Sequence, residues 1–351
     1  MTDFQRPAGR AERRLRAGTA LATLCVLAAC GGGGGDGVTR GPTPTPVDTT
    51  YNIPAGEVRN YQDTTPGGDA GGAIAAGETL TARSVGSSAL RLDYDADTTA
   101  PAGRPQVAVT RNASGALTLI VDGDEQYAFT DADRVGNAGG DFGFETYGPG
   151  GPCEVSNECV AIYSYTGPID DLLSGGNGYA EVVGYQTNID SGVPGERRGF
   201  AVFGLETREA ALAALPSATY SGRAGIEAFS STGFDGVSTS RTAVRGDLAM
   251  AANFGSGTIS GEVTNLEIEE GFAGYDPLAG SLVMEQTRFD VNGFQGNLAA
   301  GPGYTVTNPA LLASATYSGA FYGPEADEVG GTISGSGGGA NAVGYFLGYR
   351  D

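Results

Sequence analysis

The chain contains no histidine, no lysine and no tryptophan. Without an imidazole there is no Ser-His-Asp or Cys-His relay, and without a lysine amine there is no Schiff base. The common nucleophilic mechanisms are therefore excluded, no catalytic residue is assigned, and the chain is read as a non-enzymatic one. Every basic residue is an arginine, and 20 of them face 41 acids for a net charge of -21. Such a balance repels phosphate backbones and anionic lipid head groups, which argues against a nucleic-acid partner and against electrostatic attachment to a membrane. The apolar run 17–26 is too short to stand as a permanent membrane-spanning helix. Only four cysteines are present.

What is present at the N-terminus gives so acidic a chain another route to a membrane. Arg6, Arg10, Arg13, Arg14 and Arg16 form a basic region ahead of that short apolar run, which ends in Leu27, Ala28, Ala29 and Cys30. The ending resembles the lipobox of bacterial lipoproteins, which implies cleavage before Cys30 and acylation of its thiol (palmitate among the chains). Gly31, where an aspartate would retain the protein at the inner membrane, points by the same resemblance to the outer membrane. Several acyl chains on one residue suffice for stable anchoring. The glycines from Gly31 and the prolines Pro42, Pro44 and Pro46 read as a flexible, partly extended tether. Removal of Cys25 and lipidation of Cys30 would leave Cys153 and Cys159, whose spacing outside the cytoplasm is met most simply by a local disulfide.

Beyond the tether the signals are short strands broken by Gly, Pro, Asn and Asp: 89–94, 106–110, 117–121, 126–130, 160–165, 179–186 and 199–205. Asn112 to Gly115 and Asp122 to Asp124 have hairpin-turn composition. A single short helix is expected over 207–215, capped by Thr207 and stopped by Pro216. Eight further runs follow, at 218–224, 242–254, 258–268, 281–287, 293–298, 315–322, 329–334 and 342–349. Leu248, Met250, Ala252 and Phe254 alternate with Ala249, Ala251 and Asn253, which gives that strand one inner and one outer face. Eight strands make a small barrel just wide enough to fill with side chains. Ala218-Thr-Tyr-Ser-Gly222 recurs at 315–319, and Gly257-Thr-Ile-Ser-Gly261 at 331–335. These echoes have no constant period; they mark strands that need glycine where a sheet bends.

Within this region the order Phe321-Tyr-Gly-Pro324, the acids Glu325, Asp327 and Glu328, then Val329-Gly-Gly331 and a closing strand resembles the C-terminal β-barrel of the transferrin-binding protein B family of bacterial surface lipoproteins. The resemblance implies an all-β fold with a strand-rich handle domain followed by an eight-stranded antiparallel β-barrel, after a lipoprotein signal peptide and a flexible linker. The corresponding divisions are a signal peptide at 1–29, a lipidated tether at 30–50, a handle-like domain at 51–206, a helical linker at 207–217 and the barrel at 218–351. It implies capture, at the cell surface, of an iron- or haem-carrying protein or another solute, and its transfer to an outer-membrane TonB-dependent receptor. That family is bilobed with a handle and a barrel in each lobe, whereas this chain has one such unit. A structural or adhesive lipoprotein that uses the barrel as a scaffold is the alternative.

Candidate sites are few. Asp93, Asp95 and Asp97 imitate the start of a calcium loop, but Thr98 replaces its glycine and Arg104 its bidentate glutamate. With histidine absent, the sixteen tyrosines, the three methionines and the carboxylates are the remaining iron ligands; none is singled out, so neither metal nor cofactor is assigned. Two acidic tips between predicted strands combine charge with a rigid aromatic or proline and are the expected partner-binding loops. One carries Glu269, Glu270, Tyr275 and Asp276, and the other Glu325, Asp327 and Glu328.

Overall fold

The computed structural model describes residues 57–60, 78–93, 98–112, 116–122, 125–130, 133, 145–147, 159–164, 179–189, 196–204, 206–230, 241–270, 274–305, 312, 314–337 and 339–351. The signal sequence, Cys30, the tether and Cys153 lie outside them, and with Cys153 the expected disulfide.

The first half is a ten-stranded sheet. Its strands are β1 (Glu57–Asn60), β2 (Glu78–Asp93), β3 (Thr98–Gly103), β4 (Val107–Asn112), β5 (Leu117–Val121), β6 (Glu125–Phe129), β7 (Glu145–Tyr147), β8 (Cys159–Ser164), β9 (Ala180–Ile189) and β10 (Glu196–Gly204). The main path runs β6-β5-β4-β2-β10-β9-β8-β7, with β1 and β3 both paired to the long β2. At the β5–β6 turn Asp122 takes a φ of 53° and accepts the Gln106 N–H at 3.0 Å, as the turn composition predicts. In β9 and β10 the stretches Val182–Val183 and Phe200–Phe203 are apolar on both faces because both faces are covered. Val183, Tyr185, Ala201 and Phe203 join Val107, Val109, Leu119 and Val121 in the core of this sheet. Their neighbours Val182, Phe200 and Val202 turn the other way and meet the second half of the chain.

A four-residue helix, α1 (Glu209–Leu212), separates the halves. It is shorter than its sequence pattern predicts, and Thr207 does not cap it: Arg208 holds the N-cap position without a side-chain bond. The Thr207 hydroxyl instead donates to the Gly323 carbonyl at 2.7 Å, a tertiary contact that outcompetes the local one.

The second half is the expected barrel. Strands β11 (Ala218–Ser230), β12 (Arg241–Asn253), β13 (Thr258–Glu270), β15 (Leu282–Asp290), β16 (Gly293–Ala300), β17 (Thr316–Tyr322), β18 (Glu328–Gly337) and β19 (Ala340–Arg350) pair antiparallel in a ring, and the two-residue β14 (Asp276–Pro277) adds to β13. Pairing of β11 with both β12 and β19 closes the ring. Each of the eight runs read from the sequence falls on one of these strands. The interior is filled: the Phe321 ring lies 5.1 Å from that of Phe254, 5.2 Å from Phe289 and 5.5 Å from Phe294, with Met284 and Phe346 also fully buried.

The repeated Ala-Thr-Tyr-Ser-Gly string solves the same problem twice. Tyr220 and Tyr317 both point inward, and their hydroxyls donate to the Ala326 and Glu285 carbonyls at 2.8 and 2.5 Å. Two residues on, Gly222 and Gly319 face backbone of the adjoining strand so closely that a Cβ would strike Leu347 O or Gly330 O. The tyrosine fills the lumen and the glycine lets the wall bend around it.

The outer side of β17, β18 and β19 is not left to solvent. Tyr322, Val343, Tyr345 and Leu347 pack against Leu90, Val182, Phe200 and Val202 of the first sheet, with the Phe200 and Tyr345 rings 5.2 Å apart. The Ser88 hydroxyl donates to the Ile333 carbonyl at 3.1 Å across the same seam. Burying a side chain of this size contributes about 1.5–3 kcal/mol, so the seam is a second core rather than a loose interdomain contact.

Candidate functional site

The antiparallel register sorts the barrel loops into two ends. The turns β12–β13, β15–β16 and β17–β18 lie at one end, and the exits of β11, β13, β16 and β18 at the other. The two acidic tips read as candidate partner-binding loops therefore sit at opposite ends of the barrel.

The first tip leaves the barrel after β13. Glu269 is not free in solvent: its Oε2 accepts Arg241 Nη1 at 2.6 Å, while Arg241 Nη2 donates to Glu227 Oε1 at 2.8 Å. Burial by itself would push the Arg241 guanidinium down, and the carboxylates of Glu227 and Glu269 more than offset it, so the charge is held. Arg198 of β10 approaches Glu227 at 3.8 Å, tying this row to the first sheet. Further along the same strand β12, Arg245 Nε donates to Glu267 at 2.7 Å and its guanidinium stacks 3.6 Å from the centre of the Tyr275 ring. Desolvation raises the Tyr275 hydroxyl above its ordinary range, and Arg241 pulls in the opposite direction. Asp276 is exposed on β14. Glu270 ends β13 opposite Thr242.

The second tip is built into the fold. Ala326 takes a φ of 57° and Gly323 one of 87°, and the turn is held from every side. Tyr220 bonds the Ala326 carbonyl from inside the barrel, Arg350 Nη1 donates to the Glu325 carbonyl at 2.8 Å, and the Arg350 N–H donates to Asp327 O at 2.8 Å. Asn292 clamps the strand entering the turn, accepting the Phe321 N–H at 3.0 Å and donating to its carbonyl at 2.9 Å. Glu325 is exposed, and Asp327 Oδ2 accepts the Glu325 N–H at 3.2 Å.

Glu328 departs from the partner-binding role expected of it. Its side chain is buried under the first sheet at 5% exposure and accepts the N–H groups of Tyr179 and Ala180 at 3.0 and 2.7 Å. Burial pushes its carboxyl up to about 7, against the two N–H donors that favour the ionised form. The reason is register: the residue opposite Tyr322 and Tyr349 lies on the outer face of β18, which the first sheet covers. Glu328 is thus a link between the two sheets that sequence reasoning missed, and no local signal could have found it, because its partners lie 149 and 148 residues away.

The tyrosine hydroxyls considered as iron ligands are committed elsewhere at Tyr220 and Tyr317, and Tyr322 and Tyr345 are buried in the seam. Among the described residues no three histidines, cysteines or carboxylates converge as a metal site.

Residues 215–350 match a family model described as the C-lobe and N-lobe beta barrels of Tf-binding protein B. Among solved structures, the transferrin-binding protein B of Neisseria meningitidis is 18% identical with a TM-score of 0.39, over 76% of this chain and 43% of that one. A double mutant of the same protein from Haemophilus parasuis is 15% identical with a TM-score of 0.40, over 75% and 44%. The N-lobe domain of lactoferrin-binding protein B from Moraxella bovis is 14% identical with a TM-score of 0.31, over 54% and 79%. The chain spans less than half of the length of the two transferrin-binding proteins. No curated protein matches it. The family match coincides with the closed, filled ring of eight strands from β11 to β19, and this barrel domain belongs to the family of the transferrin-binding protein B β-barrels.

Proposed function

We propose that the chain is a non-enzymatic surface lipoprotein of the outer membrane. Signal peptide 1–29 is removed, Cys30 carries the lipid, residues 30–50 form the tether, 51–206 the handle-like domain, 207–217 the linker and 218–351 the barrel. It captures an iron- or haem-carrying protein for an outer-membrane receptor of the TonB-dependent class. The observation that carries this reading is the family match of the barrel, whose solved neighbours are named for transferrin and lactoferrin binding.

The capture surface is the first acidic tip. Tyr275 is held rigid on Arg245, and the exposed Asp276 beside it supplies a negative charge that steers a basic patch of the partner. Glu269 and Glu328 are left out of that surface, since each is bonded within the fold.

The test is surface plasmon resonance of the purified chain with iron-loaded transferrin, iron-loaded lactoferrin and haem-loaded albumin over a range of salt. Binding of one carrier is expected, with an association rate that falls as salt rises; Asp276→Ser should slow association severalfold and leave the melting temperature unchanged. Failure of all three carriers to bind would overturn the capture reading in favour of the structural or adhesive one, to which a filled barrel is equally suited. Loss of fatty-acid labelling in Cys30→Ser checks the anchor separately, and equal labelling of both proteins would remove it.

A further inference from the structure

The end of the barrel that carries the β12–β13 turn has a groove of about 520 Å³ on its outer wall, running across the starts of β11 and β13 and the end of β12. Its floor is shallow because the outward residues are small: Thr219 on β11, Ala251 and Asn253 on β12, Thr258 and Ser260 on β13.

A defect in the sheet arms this groove. Ile259 pairs with Thr287 and Gly261 with Met284, so Glu285 and Gln286 together oppose Ser260 alone. This is a β-bulge, a device that re-aims a side chain, and it sends Gln286 to the groove. The bulge is pinned from inside the barrel by the Tyr317 hydroxyl on the Glu285 carbonyl at 2.5 Å.

The polar groups that converge there are uncommitted. Among the described residues the side chains of Thr219, Ser260 and Gln286 make no hydrogen bond, and Asn253 uses only its Oδ1, on the Ser256 N–H at 2.9 Å. The two charges at the groove, Arg350 and Asp351, are of opposite sign and already engaged, Arg350 on Glu325 O and Asp351 on the Ser221 hydroxyl at 2.6 Å. Beside them Tyr349, the cross-strand partner of Ser221, is 46% exposed, whereas Tyr220, Tyr317, Tyr322 and Tyr345 are buried.

From this arrangement we infer that the groove is a binding site for a neutral oligosaccharide. Uncharged hydroxyls and carboxamides on a shallow floor match the ring of hydroxyls on a sugar, and the exposed ring of Tyr349, next in the chain to the lining residue Arg350, offers a face to its C–H groups. The balanced charge does not select an anion such as a phosphate or sulfate. A peptide is disfavoured because the strands here are paired on both sides, which leaves no edge for strand addition, and because the floor offers no deep apolar pocket for an anchoring side chain.

The experiment is saturation-transfer NMR and calorimetry on the full purified chain, with maltohexaose, cellohexaose, chitohexaose and mannohexaose as neutral probes and a heparin hexasaccharide as the anionic one. At least one neutral hexasaccharide is expected to bind. Gln286→Ala and Tyr349→Ala should each weaken it about fivefold or more, and Ser260→Trp should fill the floor and abolish it. Circular dichroism melting of each variant separates lost folding from lost binding; if Tyr349→Ala disturbs the nearby seam, Gln286→Ala alone decides. Binding by none of the neutral probes, tighter binding of the sulfated probe, or affinity unchanged in Gln286→Ala would overturn the assignment.

Discussion

Two acidic tips that look alike in sequence have opposite physical fates. At 269–276 the chain leaves the barrel, and Glu269 is drawn into the ion pairs of the wall while Asp276 stays exposed. At 324–328 the turn is fastened by Tyr220, Arg350 and Thr207, and its last acid disappears under the first sheet, onto N–H donors 149 and 148 positions earlier. Composition told of acidity and of a turn; whether an acid meets water depended on which outer face of the barrel the rest of the chain covers.

The contrast breaks most sharply at Glu328. Glu328→Ala removes the acceptor of two buried N–H groups, each costing about 1–3 kcal/mol when orphaned, so a loss of about 2–4 kcal/mol is expected at pH 5. Denaturant melts read it, and a change as small as that of Glu325→Ala, about 0.5 kcal/mol or less, would return Glu328 to the solvated class.

The same residue gives a pH signature. Its folded carboxyl titrates near 7, above the ordinary value of 4.5, so the fold favours the protonated form. The stability it confers is complete below about pH 4.5 and is lost as pH rises through about 7, by on the order of 2–3 kcal/mol. Glu206, raised in the same direction by burial, adds to that slope. Melts of Glu328→Gln from pH 5 to pH 8 should show a visibly flatter profile than the unaltered chain; parallel profiles would sink the assignment.

At the first tip the effects are smaller. Glu269→Ala removes one of the two carboxylates bonded to the Arg241 guanidinium, keeping that of Glu227, and should cost about 1–2 kcal/mol by denaturant melting. Arg245→Lys keeps the charge near Glu267 but loses the planar stack on Tyr275, for about 0.5–1 kcal/mol. Asp276→Asn should be neutral within about 0.5 kcal/mol, which is what makes it usable as a probe of binding alone.

The sequence by itself determined the barrel. Period-2 alternation placed Leu248, Met250, Ala252 and Phe254 inside, and the eight runs matched eight strands because each strand's inner face is set by its own residues and by the turns beside it. The paired Tyr-x-Gly strings were legible as a bending device for the same local reason. Tertiary structure alone decided the rest. Val343, Tyr345 and Leu347 look outward and Phe346 inward, yet all are buried, because a second sheet covers that wall. Thr207 left its helix for Gly323, Gln286 was turned to the groove by a bulge, and Glu328 found its donors beside the other sheet. Alternation along a strand says which side faces the lumen; what lies against the other side is fixed by contacts distant in the chain, and those leave no mark in the local pattern.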